Sequence, residues 1–427
     1  MRRAAGGGVS PWKVAAAGRP PPFLPARSPL SLFSSLSSSL LPPPLPPNSQ
    51  GHLQPFDLVE GPSAWKAGDF ASPDDYTTAL TASDIRELDS AVAKVAAEAW
   101  PAEDGADDAN TAPSSNNNTS SLLHKLYTTP QQARDLLPTL SPKLEAMRVE
   151  AATGRGFALL RNFPVERYTR RQTLAGYWLF GLLWGTAASN NKKGHLIGHI
   201  KDIGHDPTHP DTRLYATNAA QPWHNDAADL VSLLCLSNAL EGGLSSWSSS
   251  VSVYNAVLKS HPHLARVLAG PWFMDRKGEV PPGKKPFFEI PVFNFHKGHL
   301  SVNISENYFL LSQRHAEVPR LTPDHYEALR VFTAYASSPE LAISAMLQPG
   351  EIQLLNNHTC LHHRGAFVDD LAAKKPRHLL RLWLAPEEAP ELPPCYEEIY
   401  GGNGLAVGKR GGIHVAETVE CVPEEAE

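Results

Sequence analysis

Apolar positions recur at helical spacing early in the chain and turn to strand-like runs and alternation from about residue 195 onward. Ile85, Leu88, Val92 and Val95 share one face of a helix, and Thr81 with Asp84 three residues on forms a capping box at its start. Residues 156–160 read as a strand, followed by a helix carrying Leu174, Tyr177, Trp178 and Leu182 at helical spacing. Those aromatics are expected in the core, with no ligand role. Residues 230–236 form a compact apolar run. Residues 287–295, a His296-Lys297-Gly298-His299 turn and the alternating Leu300, Val302 and Ile304 predict a hairpin. Thr322-Pro323 starts an intervening helix, with Thr as N-cap and Pro at the first helical position. Pro349-Gly350 turns into a strand over 352–355, and 378–384 is the last strong strand. Helices early and strands late predict an α+β chain, mainly β, with a jelly-roll core and flanking helices.

The first 56 residues contain no Asp or Glu, five basic residues and a proline run from Pro42 to Pro47 that cannot propagate a helix. A disordered low-complexity extension is expected there. Its Arg- and Ser-rich composition equally suits an organellar transit peptide, so a cytoplasmic and a mitochondrial location both stay open. Residues 101–121 are acidic, rich in Asn and Ser, and devoid of large apolar side chains, which predicts a disordered surface insertion. The catalytic domain is expected over 57–410, with a polar tail over 411–427. A formal charge of -6 on 427 residues gives no support for a nucleic-acid partner or an anionic membrane surface. No run reaches the roughly 18 apolar residues that a membrane span needs. Cys235, Cys360, Cys395 and Cys421 form no CxxC pair and are too scattered for a disulfide framework, which favours a reducing intracellular compartment.

Chemistry concentrates in Trp223-His224-Asn225-Asp226 and in the stretch from Leu354 to Arg364. On an extended strand, His224 and Asp226 point to one side. A distant His would complete the two-imidazole, one-carboxylate facial set that holds Fe(II) and leaves positions open for oxygen chemistry. His358, His362 and His363 are all candidates for that third place, and spacing does not separate them. His205, His209, His261, His263 and His325 lie in polar loops or on a helix face and read as ordinary histidines. Arg377 and Arg381 share one strand face about 13 Å apart, with Leu380, Leu382 and Leu384 on the other. Buried arginine needs an anionic partner. That partner is either Asp369 or Asp370 nearby, or a bound dicarboxylate gripped in bidentate fashion. Two other readings of the triad stand beside an iron oxygenase: a Zn(II)-dependent hydrolase or isomerase on the same fold, and a non-catalytic binding protein.

Taken together, the His224–Asp226 block, Glu241-Gly242-Gly243-Leu244-Ser245-Ser246-Trp247, the block from Asn357 to His362, and Arg377-His378-Leu379-Leu380-Arg381 resemble the taurine dioxygenase-like (TauD/TfdA) enzymes, clavaminate synthase-like members included. The match spans roughly residues 75–400, with the four blocks in order. The resemblance implies a double-stranded β-helix core and an Fe(II)- and 2-oxoglutarate-dependent dioxygenase. Such an enzyme uses O2 to hydroxylate a small organic substrate and releases succinate and CO2. It implies His224, Asp226 and His362 as iron ligands. Arg377 and the hydroxyl of Ser245, where the family often has Thr, would hold the far carboxylate of 2-oxoglutarate. Arg381 falls where several members hold the anionic group of the primary substrate. His363, Asn357 and Trp223 would line or brace the pocket. A small-molecule substrate is the implied partner, no nucleic acid or membrane is, and self-association into a homo-oligomer stays open.

Overall fold

The computed structural model describes residues 53–101, 122–370, 372, 375–400, 404–415 and 418–426. Apart from residues 53–56 and Pro101, the expected N-terminal extension and the 101–121 insertion fall outside the described residues. Two sheets carry the fold. Their strands, in chain order, are β1 (Thr77–Ala79), β2 (Phe157–Arg161), β3 (Thr186–Ala188), β4 (Ile197–Lys201), β5 (Gln221–His224) and β6 (Leu230–Ser237). There follow β7 (Ser245–Ser249), β8 (Ala342–Ala345), β9 (Ile352–Asn356), β10 (Cys360–Arg364) and β11 (His378–Ala385). The larger sheet runs β1-β2-β9-β6-β11, and the free edge of β11 is shared by β4 and β3. The smaller sheet runs β8-β7-β10-β5. Every pairing is antiparallel except that of β1 with β2. This is the expected jelly roll.

Strand alternation explains how β11 serves two environments. Leu380, Leu382 and Leu384 pack outward into the helical layer, while Leu379 and Trp383 join Phe157, Val231 and Trp247 between the sheets. The helical layer consists of α1 (Ala82–Ala99), α2 (Ser141–Thr153) and α3 (Arg170–Trp184). The Thr81–Asp84 capping box forms as expected, and Leu88, Val92 and Val95 are buried. Helix α3 is buried on all sides from Thr173 onward because it lies between the other helices and the sheet. Its Trp178 and Trp184 donate their indole N–H groups to the carbonyls of Tyr127 and Leu144.

A second apolar cluster unites α4 (Ser250–Ser260), α5 (Pro262–Leu268) and α6 (Pro323–Ala336) with a hairpin of Phe293–His296 and His299–Val302. Lys297 and Gly298 at its turn have φ of 45° and 80°, the paired left-handed residues of a type I′ turn. The strand expected over 287–295 is divided. Phe287–Glu289 pairs instead with Phe273–Asp275, and Pro291, which has no N–H to donate, marks the break. Phe56 packs against Phe295 with ring centroids 5.9 Å apart, so the described chain is already part of the body there.

The described residues of the expected 411–427 tail lie along the body. Gly412 N donates to the Ala227 carbonyl at 2.7 Å, Ile413 N to that of Ser189 at 2.9 Å, and Val422 is buried in the helix-side cluster. A buried imidazole pair helps to hold this segment. His199 faces the Pro423 carbonyl through Nε2 at 3.0 Å and His378 Nε2 through Nδ1 at 2.8 Å, while His378 Nδ1 meets Arg170 at 3.3 Å. Burial lowers His199 to about 4 and His378 to about 2, so both rings are neutral. The unfolded chain takes up protons on these groups as pH falls below about 6.5, and the folded chain does not until pH nears 4. Folding stability should therefore fall with pH across that window, by at most about 1.4 kcal/mol per pH unit for each ring. In urea titrations from pH 7 to 4.5, His378→Asn should show a shallower decline than the parent protein. Equal slopes would contradict this account.

Candidate active site

Strand β5 delivers His224 and stops there, so Asp226 sits just past the strand end instead of on it. Asparagines fix the turn. Asn225 Nδ2 donates to the carbonyls of Asn357 (2.7 Å) and Cys360 (2.8 Å), its Oδ1 accepts from Ile304 N, and Asp226 N donates to Asn357 Oδ1 at 3.0 Å. Strand β10 pairs with β5 so that His362 lies directly opposite His224, with ring centroids 4.1 Å apart. His224 Nε2 is 3.8 Å and His362 Nε2 3.7 Å from the Asp226 carboxylate. One ligand atom from each residue lies within 4.8 Å of the others.

The three candidate histidines thus separate. His358 turns away to meet Asp229 at 2.7 Å, and His363 points to the other side of β10, its ring 5.5 Å from that of Trp223. Of the histidines read as ordinary, His325 closes the capping box of α6 with Thr322, and none joins the triad among the described residues.

Charge fits the geometry. Burial alone would raise the Asp226 carboxyl, but Arg381, His362 and His224 together hold it well below the usual carboxylate range. Trp383 Nε1 donates to Asp226 at 2.9 Å and Arg381 Nη1 at 3.3 Å. Burial depresses His224 and takes His362 to about 3. Two neutral imidazoles and one carboxylate are the protonation states that a divalent metal requires. His224 Nδ1 lies 2.8 Å from the Pro222 carbonyl and donates to it, which leaves the Nε2 lone pair facing inward. Gln221 Nε2 sits 2.8 Å from that lone pair. The donor set fits Fe(II) and also fits Zn(II).

The surroundings discriminate between them. A cavity beside His362 is lined by Ser245, Gln353, Arg364, Arg377 and Arg381 among apolar walls, and Asp226 is the sole carboxylate among its lining residues. Arg377 is 3% exposed, and its Nη1 has no hydrogen-bond partner. Asp369 accepts the backbone N–H of Arg377 at 2.7 Å, not its guanidinium. The neighbouring Gly243 has φ of 76°, and a Cβ there would stand 2.8 Å from Arg377 Nε, so glycine gives this arginine its room. A small dicarboxylate matches this chamber.

A second, wider cavity opens beside His224 and Asp226, lined by residues including Arg213, Tyr215, Lys277, Glu279, Tyr308 and Trp383. Arg381, expected to face the primary substrate, lines the smaller cavity. It donates Nε to Asn190 at 2.7 Å, stacks on Trp383 at 4.5 Å, and keeps Nη2 without a partner. The wider cavity holds Arg213 and Arg276 instead; Arg213, whose Nη1 meets Glu279 at 3.4 Å, was missed because the irregular stretch 202–220 carries no periodic pattern. Also missed was the buried group of Asp229, His358, Tyr400 and Arg410. Arg410 is fully buried and donates to both Asp229 oxygens at 2.9 Å, three residues from Asp226. A lone arginine in a polar, Gly-rich segment gives no signal of burial.

Residues 126–383 match the profile of the taurine catabolism dioxygenase TauD, TfdA family. The chain is 36% identical over 259 residues to FR-33289 synthase of Streptomyces rubellomurinus, covering 59% of this chain and 75% of that protein. It is 27% identical over 342 residues to the taurine hydroxylase-like protein SAT17 of Stachybotrys chartarum, covering 78% and 81%. The fold resembles that of an asparagine oxygenase solved with Fe(II), 3-hydroxyasparagine and succinate, with a TM-score of 0.54 and 17% identity over 80% of this chain and all of that one.

The Asp229–Arg410 pair yields a direct expectation. Arg410→Gln leaves a buried carboxylate uncompensated and should cost about 3–5 kcal/mol in urea denaturation. Adding Asp229→Asn should restore part of that loss. Loss no greater than about 1 kcal/mol in the single variant would show that the pair does not anchor the segment.

Proposed function

Because the chain belongs to the taurine catabolism dioxygenase TauD, TfdA family, we propose which of its residues carry the reaction of an Fe(II)- and 2-oxoglutarate-dependent dioxygenase. The enzyme is an oxidoreductase that hydroxylates a small substrate with O2 and releases succinate and CO2. His224, Asp226 and His362 hold the iron. Arg377 and Ser245 hold the far carboxylate of 2-oxoglutarate in the smaller cavity. The observation that carries this reading is the buried, unpaired Arg377 Nη1 in a cation-lined chamber beside the triad. A zinc hydrolase has no use for such a chamber, so the zinc and non-catalytic readings are the weaker ones.

Bound Fe(II) supplies the redox chemistry that couples loss of CO2 from the keto acid to oxygen insertion at a substrate carbon. The chain supplies order and charge. The Pro222 carbonyl fixes the His224 tautomer, and Trp383 and Arg381 orient Asp226 while keeping it ionised. The apolar side chains of Ile200, Leu233 and Leu379 limit water around the cosubstrate. The wider cavity takes the primary substrate. Arg213 there is already paired with Glu279 at 3.4 Å, so the spare Nη2 of Arg381, in the adjoining smaller cavity, is the group that supports an anionic end on that substrate. The catalytic domain so assigned runs over 57–410, and the described residues beyond it brace its wall.

An anaerobic titration of the metal-free protein with Fe(II) and 2-oxoglutarate should produce the visible charge-transfer band of the chelate, and His362→Ala should lack it. A folded parent protein that takes up metal without the band would overturn the assignment. Arg377→Ala should raise the 2-oxoglutarate Kd by roughly 10- to 100-fold, the equivalent of a lost charge-assisted contact of about 1.5–3 kcal/mol. Gly243→Ala should weaken the same binding by displacing Arg377 while leaving the metal affinity of the triad within about twofold. Unchanged 2-oxoglutarate binding in Arg377→Ala would make that residue structural.

A further inference from the structure

We propose that Arg364 is a second cosubstrate-binding residue, sharing the far carboxylate of 2-oxoglutarate with Arg377; the assignment rests on the function proposed above. Strand alternation places His362 and Arg364 on the same face of β10, with Arg364 about 7 Å further from the metal ligands. Its register partner on β7 is Ser245, so the two side chains stand abreast on the smaller sheet. Arg377 approaches from the larger sheet. The guanidiniums of Arg364 and Arg377 both pack on the ring of Phe367, at 4.9 and 5.3 Å, and both line the smaller cavity.

The hydrogen bonds around Arg364 are incomplete. The residue is 6% exposed, and its Nη2 donates to the carbonyls of Ala219 and Thr217, which fixes the plane of the group. Its Nε and Nη1 are buried and have no partner, as are Arg377 Nη1 and Gln353 Nε2. Asp202 acts on the Arg364 guanidinium, and Asp369 on that of Arg377, through charge, and the Asp369 hydrogen bond goes to the Arg377 backbone N–H. Two like charges held together, with three guanidinium nitrogens unpartnered, are matched by a carboxylate, whose two oxygens offer about four lone-pair sites. A single arginine could not account for the unspent groups on Arg364. The backbone bonds explain how Arg364 is aimed, and they leave the rest of its fork for the ligand.

Calorimetric titration of the Fe(II)-loaded protein under anaerobic conditions tests this without turnover. The probes are 2-oxoglutarate and 2-oxopentanoate, which has the same carbon chain but lacks the far carboxylate. Arg364→Gln should weaken 2-oxoglutarate by about tenfold or more and leave 2-oxopentanoate within about twofold, while Arg364→Lys should fall between. Equal weakening of both probes would mean that Arg364 merely supports the Ala219 loop, and would overturn the proposal. So would 2-oxoglutarate affinity within about threefold of the parent. If Arg364→Gln does not fold, Arg364→Lys decides, since it keeps the charge and loses the fork; unchanged selectivity there overturns the proposal. Loss of selectivity in Arg377→Gln alone would sink this assignment and spare the dioxygenase reading, whereas a parent protein that binds no 2-oxoglutarate would sink both.

Discussion

An ionised carboxylate in a protein interior is tolerable only where fixed donors and positive charge surround it, and Asp226 concentrates that constraint. Its side chain is 5% exposed, and it belongs to a loop leaving the smaller sheet, yet two of its donors, Trp383 and Arg381, stand on the larger one. The sheets are therefore held in register at the very group that would grip the metal. The asparagine turn on one side and the β11 side chains on the other leave the carboxylate little freedom. Both histidines face it while remaining neutral, so the triad already has the protonation states that a dication requires.

Around this centre, positive charge is distributed by depth. Arg377 and Arg364 line the smaller cavity, Arg381 lines it too while its Nη1 meets the carboxylate, and Arg213 faces the wider cavity. Gln221 lines both cavities and touches the inward nitrogen of His224, which places an uncharged amide at the boundary between them. Strands supply Arg364 and Arg381, the residue just before β11 supplies Arg377, and an irregular segment supplies Arg213, so three electrostatic environments adjoin within a short span.

Much of this was legible in the sequence where local rules act. The capping box at Thr81, the hairpin turn at Lys297-Gly298, and the alternation of Leu380, Leu382 and Leu384 with Arg381 and Trp383 follow from backbone preferences and burial on one face. His224, Asp226 and His362 come together because a His-x-Asp and a distant strand histidine need only correct pairing. The choice of His362 over His358 and His363 was not local. It depends on which neighbour meets Asp229 and which stacks on Trp223. Arg213 and Arg410 were illegible for a related reason: irregular segments acquire their environment from distant chain, and no periodicity announces it. For Arg381, strand direction predicted the face, whereas the cavity that its guanidinium lines depends on the packing of distant segments.

The buried Arg410 has a consequence for how the chain acquires its shape during synthesis. The strand that carries His224 and the loop that carries Asp226 leave the ribosome nearly two hundred residues before the partner of Asp229 does. Strand β9, which lies between β2 and β6, is also late. Until those segments emerge, the half-made sheet exposes unpaired edges and a buried-type acid with no counter-charge. Contacts of such long sequence separation fold slowly and leave intermediates prone to aggregation. The nascent chain should thus depend on protection until residue 410 is free, and the architecture that secures the finished site delays its completion until long after the strand that carries His224 has been made.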